Sequence, residues 1–126
     1  MTAPGFERNP PASGPVVRGL SENGFIVDGT AYRALLLTPE WVQAWDPPAL
    51  GELGVAHLEP VLALQPAAEF VIVGTGAAMA FPPRALVREL EDRGIGVEAM
   101  DSRAAARTWG LLRGEGRWIA AAILGL

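Results

Sequence analysis

The carboxyl-terminal half of the chain restricts the fold most, because apolar segments and helical segments alternate there without a break. Phe70-Val71-Ile72-Val73 is apolar throughout, which predicts a strand covered on both faces at the centre of a sheet. A helix is predicted from about Pro82-Pro83 to Gly94, followed by a strand over 96–100. A strand, a helix and a second strand over this length predict a right-handed parallel crossover.

The end of the first predicted helix is specified by its residue types. Gly94 favours the left-handed conformation that stops a helix, and Ile95 would then contact Leu90. Glu89 and Arg93 are four residues apart in the favourable order, so we expect them to form an ion pair.

A second helix and a last strand complete this half of the chain. The helix is predicted over 102–112, with Trp109 on its buried face and Arg103 and Arg107 on the opposite flank. Residues 118–124 are almost all small and apolar, which predicts a buried strand.

The first third of the chain has the pattern of an antiparallel meander. Strands are predicted at 16–20, 25–27 and 30–37. Asn23-Gly24 favours a turn, and Asp28-Gly29 favours a two-residue type I′ hairpin.

The segment that follows combines a helix-start signal with large aromatic residues. Thr38-Pro39-Glu40 predicts a helix capped by Thr38, which would place Trp41 and Trp45 on one face. We expect the two tryptophans to form a lid over the core, with an exposed anchor for a partner as the alternative. A short helix is predicted over 58–64, and His57 before it would act as a cap or surface residue rather than a ligand or base.

Length and patterning predict one α/β domain over residues 16–126, with helices packed on a mixed sheet after the small N-terminal meander. Residues 1–15 are rich in Pro and Gly and are predicted to form a flexible tail. They lack the basic start and apolar run of a signal peptide, so we expect a cytoplasmic location. No stretch has the length and hydrophobicity of a membrane span.

Composition excludes several function classes. The chain has no cysteine, which rules out disulfides, thiolate nucleophiles and cysteine metal sites. All ten basic residues are arginine, so lysine Schiff-base chemistry and the P-loop lysine are absent. The net charge of −4 argues against nucleic-acid binding. We expect no metal, no cofactor and no catalytic residue set, and protein or small-molecule partners instead.

A glycine-containing motif, Gly74-Thr75-Gly76, follows the first buried strand at the position where open α/β sheets bind ligands. The match to a dinucleotide motif is poor, because Met79 stands where a third small residue belongs and the helix starts late. Asp101 lies at the ribose-binding position of such folds. The alternative is that the glycines allow a sharp, closely packed turn.

Two polar residues between the predicted strand over 96–100 and the second predicted helix have a structural explanation. Asp101 and Ser102 can cap the second helix, which makes a nucleophilic Ser102 the less favoured hypothesis. Arg103 and Arg107 repel each other, so an anion beside them is expected, either a carboxylate of this chain or an external phosphate or carboxylate. The carboxylates of this chain that could fill that role are those of Glu98, Asp101 and Glu115.

Several short segments, taken together, resemble one protein family. They are Val71-Ile72-Val73-Gly74-Thr75-Gly76, Gly94-Ile95-Gly96-Val97-Glu98, Met100-Asp101-Ser102, Ala104-Ala105, Arg107-Thr108 and Glu115-Gly116-Arg117. This combination is similar to the family of mitochondrial complex I assembly factor 3, which includes Mth938-type domains and small bacterial and archaeal proteins. The resemblance covers most of the chain after about Phe25.

The resemblance implies a three-layer α/β/α domain with a mixed central sheet. It implies an assembly factor of a membrane respiratory complex, or a link to membrane-protein export as in some bacterial relatives, with no established reaction or cofactor. The chain departs from the family at Ala106, where Cys is frequent, and at Trp109-Gly110, where Tyr-Asn is common. A family site that used that thiol or amide would be lost here.

Two hypotheses on function follow. The favoured one is a non-enzymatic interaction or assembly module that binds another protein. The alternative is a small-ligand domain, for an anion or nucleotide, or an enzyme with a pocket at the strand ends. The candidate ligand-binding residues are Gly74, Thr75, Gly76, Asp101, Ser102, Arg107, Thr108 and Glu115. The sequence leaves the oligomeric state open.

Overall fold

The computed structural model describes residues 13–22 and 24–126 of the chain. Residues 1–12, which are most of the predicted tail, lie outside the described residues. Asn23 of the predicted Asn23-Gly24 turn also lies outside them. In chain order the elements are β1 Val17–Ser21, β2 Gly24–Val27, β3 Thr30–Tyr32, β4 Leu35–Leu37, β5 Val42–Ala44, 3-10 turns at Leu50–Glu52 and Val55–Leu58, α1 Glu59–Leu62, β6 Phe70–Gly74, α2 Arg84–Asp92, β7 Gly96–Met100, α3 Ser102–Gly114 and β8 Ala120–Ile123.

The strands form two sheets, which confirms the predicted α/β domain with an N-terminal meander. The small sheet has the antiparallel order β1-β2-β3, and the larger one has the mixed order β5-β4-β8-β6-β7. β6 pairs in parallel with both β7 and β8, whereas β4 is antiparallel to β8. The predicted parallel crossover through α2 is therefore confirmed. β6 is an interior strand, but the central position of the sheet belongs to β8.

Alternating side chains of the larger sheet are buried on opposite faces, and this alternation creates the three layers. Val71 and Val73 pack in a cluster with Leu86 and Leu90 of α2. Ile72, between the two valines, packs instead in a cluster with Trp109 of α3. The second cluster also holds apolar residues of the small sheet, so α3 and the meander cover the same face.

The hairpin predicted from Asp28-Gly29 is confirmed, because Asp28 has a φ of 51° and Gly29 a φ of 80°. The single strand predicted over 30–37 is wrong. The chain leaves the small sheet after β3 and enters the larger one as β4, where all three leucines are fully buried. A run of leucines is buried on both faces only inside a covered sheet, which the meander cannot provide.

The helix predicted from Thr38-Pro39-Glu40 is also wrong, since this segment turns back into strand β5. The Thr38 Oγ1 accepts hydrogen bonds from the backbone N–H groups of Glu40 and Trp41, both at 3.1 Å. Thr38 therefore forms the side-chain hydrogen bonds expected of a cap, but they close a tight turn that lets β5 pair with β4. Trp41 and Trp45 are partly buried against the core, as the lid interpretation predicts.

His57 has the predicted capping role. Its Nδ1 accepts a 2.9 Å hydrogen bond from the N–H of Gly54, and its carbonyl accepts one from the indole N–H of Trp45. The helix predicted over 58–64 is shorter than expected, comprising α1 after a 3-10 turn.

Helix α2 stops in the way its glycine predicts. At the end of α2, Gly94 has a φ of +78°, and the Ile95 N–H donates to the Leu90 carbonyl at 3.0 Å. These are the marks of a Schellman stop, and Ile95 and Leu90 share one core cluster. Arg93 forms its ion pair with Glu59 of α1, at 3.6 Å, and not with the predicted Glu89.

Candidate functional site

The carboxyl ends of β6, β7 and β8 lie at one edge of the larger sheet, because the three strands are parallel. This edge brings five of the eight predicted site residues together: Gly74, Thr75, Gly76, Asp101 and Ser102. It also brings in the end of β8, which the sequence did not place there. The Leu124 N–H donates to the Gly74 carbonyl at 2.9 Å.

Ser102 is fully buried and joins three segments at this edge. Its Oγ accepts a hydrogen bond from the Gly76 N–H at 2.8 Å and donates one to the Leu124 carbonyl at 2.7 Å. Its own N–H donates to the Gly76 carbonyl at 2.8 Å. We call this arrangement the Ser102 clamp. Because the hydroxyl proton is already donated to a carbonyl, nothing in this geometry activates Ser102 as a nucleophile.

Thr75 holds the chain on the other side of the glycine turn. Its Oγ1 accepts a hydrogen bond from the Ala80 N–H at 3.1 Å and donates one to the Ala78 carbonyl at 2.8 Å. Its N–H donates to the Met100 carbonyl at 2.9 Å. Thr75 therefore fixes the loop that follows it rather than facing an open cavity.

The two glycines of the motif are required by geometry. A Cβ on Gly74 would lie 2.9 Å from Ile123 Cγ2 and from Ser102 Oγ, closer than such atoms approach. Gly76 has a φ of +108°, a conformation that favours glycine. The closely packed turn, offered above as the alternative to a dinucleotide site, explains both residues.

Asp101 caps α3, as predicted from its position. Its Oδ1 accepts a 2.9 Å hydrogen bond from the Ala104 N–H, a donor that would otherwise lack a partner at the helix start. Arg107 is exposed and Thr108 half-buried further along α3. Glu115 follows the last turn of this 13-residue helix, about 20 Å from Asp101 along its axis. The structure therefore does not bring Glu115 to the predicted pocket.

The end of α3 holds a buried cation that the sequence analysis missed. Arg113 is 6% exposed, and its guanidinium donates to the carbonyls of Arg117 at 2.6 Å and Ser13 at 3.1 Å. Trp109, one turn earlier, donates from its indole to the Pro15 carbonyl at 2.9 Å. The (i, i+4) spacing to Trp109 is the signal that could have predicted a buried position for Arg113.

Arg117 forms an exposed ion pair near the start of β6. Its guanidinium lies 2.7 Å from Glu69 Oε1 and 5.6 Å from the centre of the Phe70 ring. The hydrogen bond to the Glu69 carboxylate, followed by the charge of Glu69, raises the pKa of Arg117 above its ordinary value. This end of the sheet holds a structural ion pair far from the predicted pocket.

Two exposed features of the described chain are considered as binding surfaces. The first is the apolar loop, residues 77–81, in which every residue is exposed and Phe81 is 84% exposed. The second is the arginine groove, about 350 Å³ in volume, between β1 and α3. The groove is lined by Val17, Arg18, Gly19, Leu20, Arg103, Ala106 and Arg107.

No anion within the described ranges, 13–22 and 24–126, pairs with the arginines of this groove. Arg18, Arg103 and Arg107 form neither an ion pair nor a side-chain hydrogen bond there. The internal carboxylates expected beside Arg103 and Arg107 are therefore not their partners. The sequence predicted the shared flank of the two α3 arginines, but it gave no sign that Arg18 joins them.

Among residues 13–22 and 24–126, no helix combines the length and the apolar character needed to cross a membrane. This finding covers the helices of the described chain, of which α3 is the longest at 13 residues.

Comparison with known proteins identifies the family. A family model described as "Protein of unknown function (DUF498/DUF598)" matches residues 17–124. The NADH dehydrogenase [ubiquinone] 1 alpha subcomplex assembly factor 3 of Danio rerio is 30% identical over 90% of this chain, which spans 66% of that longer protein.

Solved structures show the same fold. A crystal structure of a Bordetella parapertussis protein matches this chain with 31% sequence identity and a TM-score of 0.79. The match covers 93% of this chain and 100% of the Bordetella chain. A solution structure of a Mth938-like domain from Bordetella pertussis has 26% identity and a TM-score of 0.76, covering 95% and 91%. The chain therefore belongs to the DUF498 family, which confirms the resemblance to complex I assembly factor 3 and Mth938-type domains.

Proposed function

We propose that this chain is a protein-binding module of the assembly-factor kind and that the apolar loop contacts the partner. The observation that carries the proposal is the exposure of Phe81, which is 84% exposed. Met79, in the same loop, is 48% exposed. Exposed large apolar side chains that cluster in one segment are typical of interaction surfaces.

The loop is held in place before any partner binds. Thr75 binds the backbone at Ala78 and Ala80, and Pro82-Pro83 restricts the chain between the loop and α2. A preformed loop loses little conformational entropy on binding, so more of the contact energy appears as affinity. An aromatic side chain such as Phe81 buries about 150–250 Å² in a complex.

The alternative hypothesis, a ligand pocket or enzyme at the strand ends, has less support. The polar side chains of Thr75, Asp101 and Ser102 are already engaged with backbone groups. The glycine turn supports the apolar loop instead of a pocket, because Thr75 and Gly76 hold the segment that carries Phe81. By analogy with the NADH dehydrogenase assembly-factor relatives, the proposed partner is a protein subunit of a larger complex. A subunit of a membrane complex or of export machinery is the finer proposal that the sequence resemblance implies. A cytoplasmic location stays a prediction from the sequence.

Site-specific photocrosslinking in the source cells tests the proposal. A photoreactive phenylalanine analogue placed at Phe81 should crosslink to one discrete protein. The matched control carries the same analogue at Leu111, which is 65% exposed at the far end of α3. The crosslinked protein, once purified, should bind the chain directly and lose at least about tenfold in affinity with Phe81→Ser, but not with Leu111→Ser.

Three outcomes would contradict the proposal. These are equal crosslinking from both positions, crosslinks only to lipid, and a purified partner that binds Phe81→Ser as tightly as the unaltered chain. A thermal-shift screen addresses the alternative directly, because a small molecule that stabilises the chain and loses its effect in Gly76→Val would favour a pocket.

A further inference from the structure

We propose that the arginine groove binds an acidic, extended peptide segment of another protein. The groove is lined by residues other than those of the apolar loop, and the inference does not depend on the proposed function above. Its lining, as far as residues 13–22 and 24–126 form it, contains three arginines and no carboxylate, in a chain whose acidic residues outnumber its basic ones, 14 to 10.

The groove lies in a locally basic part of the chain. α3 has no acidic residue from Ser102 to Gly114, and β1 has none either. The neighbouring carboxylates in sequence are Asp101, whose Oδ1 caps α3, and Glu22, which lies beyond the end of β1. Three guanidinium groups around one groove repel each other, and a bound anion would relieve that repulsion.

The mixture of charge and apolar surface is the second argument. Val17, Leu20 and Ala106 line the groove between the arginines, and Leu20 is 46% exposed. A free phosphate or carboxylate would use the arginines alone. A peptide whose acidic residues alternate with apolar ones would satisfy the arginines and cover the apolar floor as well.

The edge of the small sheet is the third argument. Among the strands that the structure describes, β1 pairs with β2 alone, so its other edge offers backbone groups that an added strand can bind. Four consecutive residues of β1 line the groove, a length of about 13 Å in an extended chain. The register shift between Val17 and Gly19 bends the strand at Arg18, which limits regular pairing to a short segment.

Two other classes of partner fit less well. Nucleic acid is disfavoured by the net charge of −4, which repels a long polyanion, whereas a short peptide responds mainly to the local groove. An anionic membrane surface is nearly flat, so its headgroups would contact the rim of the concave groove rather than the residues on its floor. Both classes become outcomes of the test.

The test uses the full chain and a fluorescent octapeptide of alternating glutamate and valine, with binding followed by anisotropy. We expect saturable binding that falls at least about tenfold in the double variant Arg103→Glu/Arg107→Glu. The matched control is Arg84→Glu/Arg88→Glu, an exposed arginine pair with the same (i, i+4) spacing on α2, which should stay within about twofold. The corresponding lysine and valine peptide should not bind.

The site is checked by backbone amide shifts, which should move at Gly19 and Leu20 when the peptide is added. Phe81→Ser should leave peptide binding unchanged, so failure of this inference is distinguishable from failure of the apolar-loop proposal. Absence of saturable binding up to about 1 mM chain would overturn the inference. Equal losses in both double variants would also overturn it, because they would reflect net charge alone. Binding of phosphatidylglycerol vesicles or of a single-stranded oligonucleotide to the groove, without peptide binding, would assign it to a different partner.

Discussion

The Ser102 clamp and the arginine groove involve adjacent residues at the start of α3, yet their polar groups have opposite environments. Ser102 is fully buried, and each of its polar atoms has a backbone partner. Arg103 is exposed, and no anion in the described part of the chain binds it. The difference teaches that residue type alone does not separate a structural polar group from a binding one. What separates them is whether the folded chain satisfies the group.

Removal of the Ser102 hydroxyl should have the largest effect on stability. Ser102→Ala leaves the Gly76 N–H and the Leu124 carbonyl without their partner, and we expect a loss of about 3 kcal/mol in the free energy of unfolding. Urea denaturation followed by tryptophan fluorescence measures it. The control Thr108→Ala, on the same helix, should change the value by less than about 0.5 kcal/mol. A loss below about 1 kcal/mol for Ser102→Ala would remove the basis of the comparison.

A methyl group on Gly74 should be the next most damaging change. Gly74→Ala forces a Cβ to within 2.9 Å of Ile123 Cγ2, which should cost about 2 kcal/mol of unfolding free energy. Gly110→Ala is the matched control, because a Cβ there has open space within α3. It should stabilise the chain by about 0.5–1 kcal/mol. If both substitutions stabilise, the turn at Gly74 is not closely packed in solution.

Loss of the α3 cap should have a smaller effect. Asp101→Ala removes the acceptor for the Ala104 N–H and should lower the unfolding free energy by about 1 kcal/mol. Asp101→Asn keeps a capping oxygen and should retain most of that energy. Thermal unfolding of the two variants compares them. Equal losses would mean that the negative charge matters more than the cap, and would link Asp101 to the nearby arginines.

Charge reversal in the groove should change stability least. Arg103→Glu/Arg107→Glu replaces one like-charged (i, i+4) pair with another and places an acidic residue in the first turn of α3, so the unfolding free energy should stay within about 0.5 kcal/mol or rise slightly. The urea measurement used for Ser102→Ala gives this value. A loss above about 1 kcal/mol would show that the arginines stabilise the fold, and the contrast with Ser102 would then fail.

The features that could be predicted from the sequence are those specified by neighbouring residues. Strand β7 has its predicted bounds, and the Schellman stop at Gly94 and the cap at Asp101 form as expected. Each depends on residues within about six positions of one another, and the backbone geometry of such short segments is set locally. The parallel crossover followed from the same local pattern.

The errors arose where a local signal has two solutions. Thr38-Pro39 can open a helix or close a turn, and the choice was decided by β4, whose edge is covered by β5. The Glu89 and Arg93 spacing allowed an ion pair within α2, but Glu59 of another helix lies closer to the arginine. β4 is itself fixed in the sheet by the distant strand β8, and Glu59 lies in a separate helix, so the local patterns carried no information about either partner.

The sequence by itself determined the α/β class, the order of the crossover elements and the polar caps, because hydrophobic periodicity and backbone preferences act over a few residues. Only the tertiary structure decided which polar groups remain available for binding. The hydroxyl of Ser102 is engaged because the end of β8 reaches it, and Arg18 joins Arg103 because β1 lies beside α3. Such juxtapositions depend on strand order and layer packing, which bring together residues that are more than 20 positions apart in the chain.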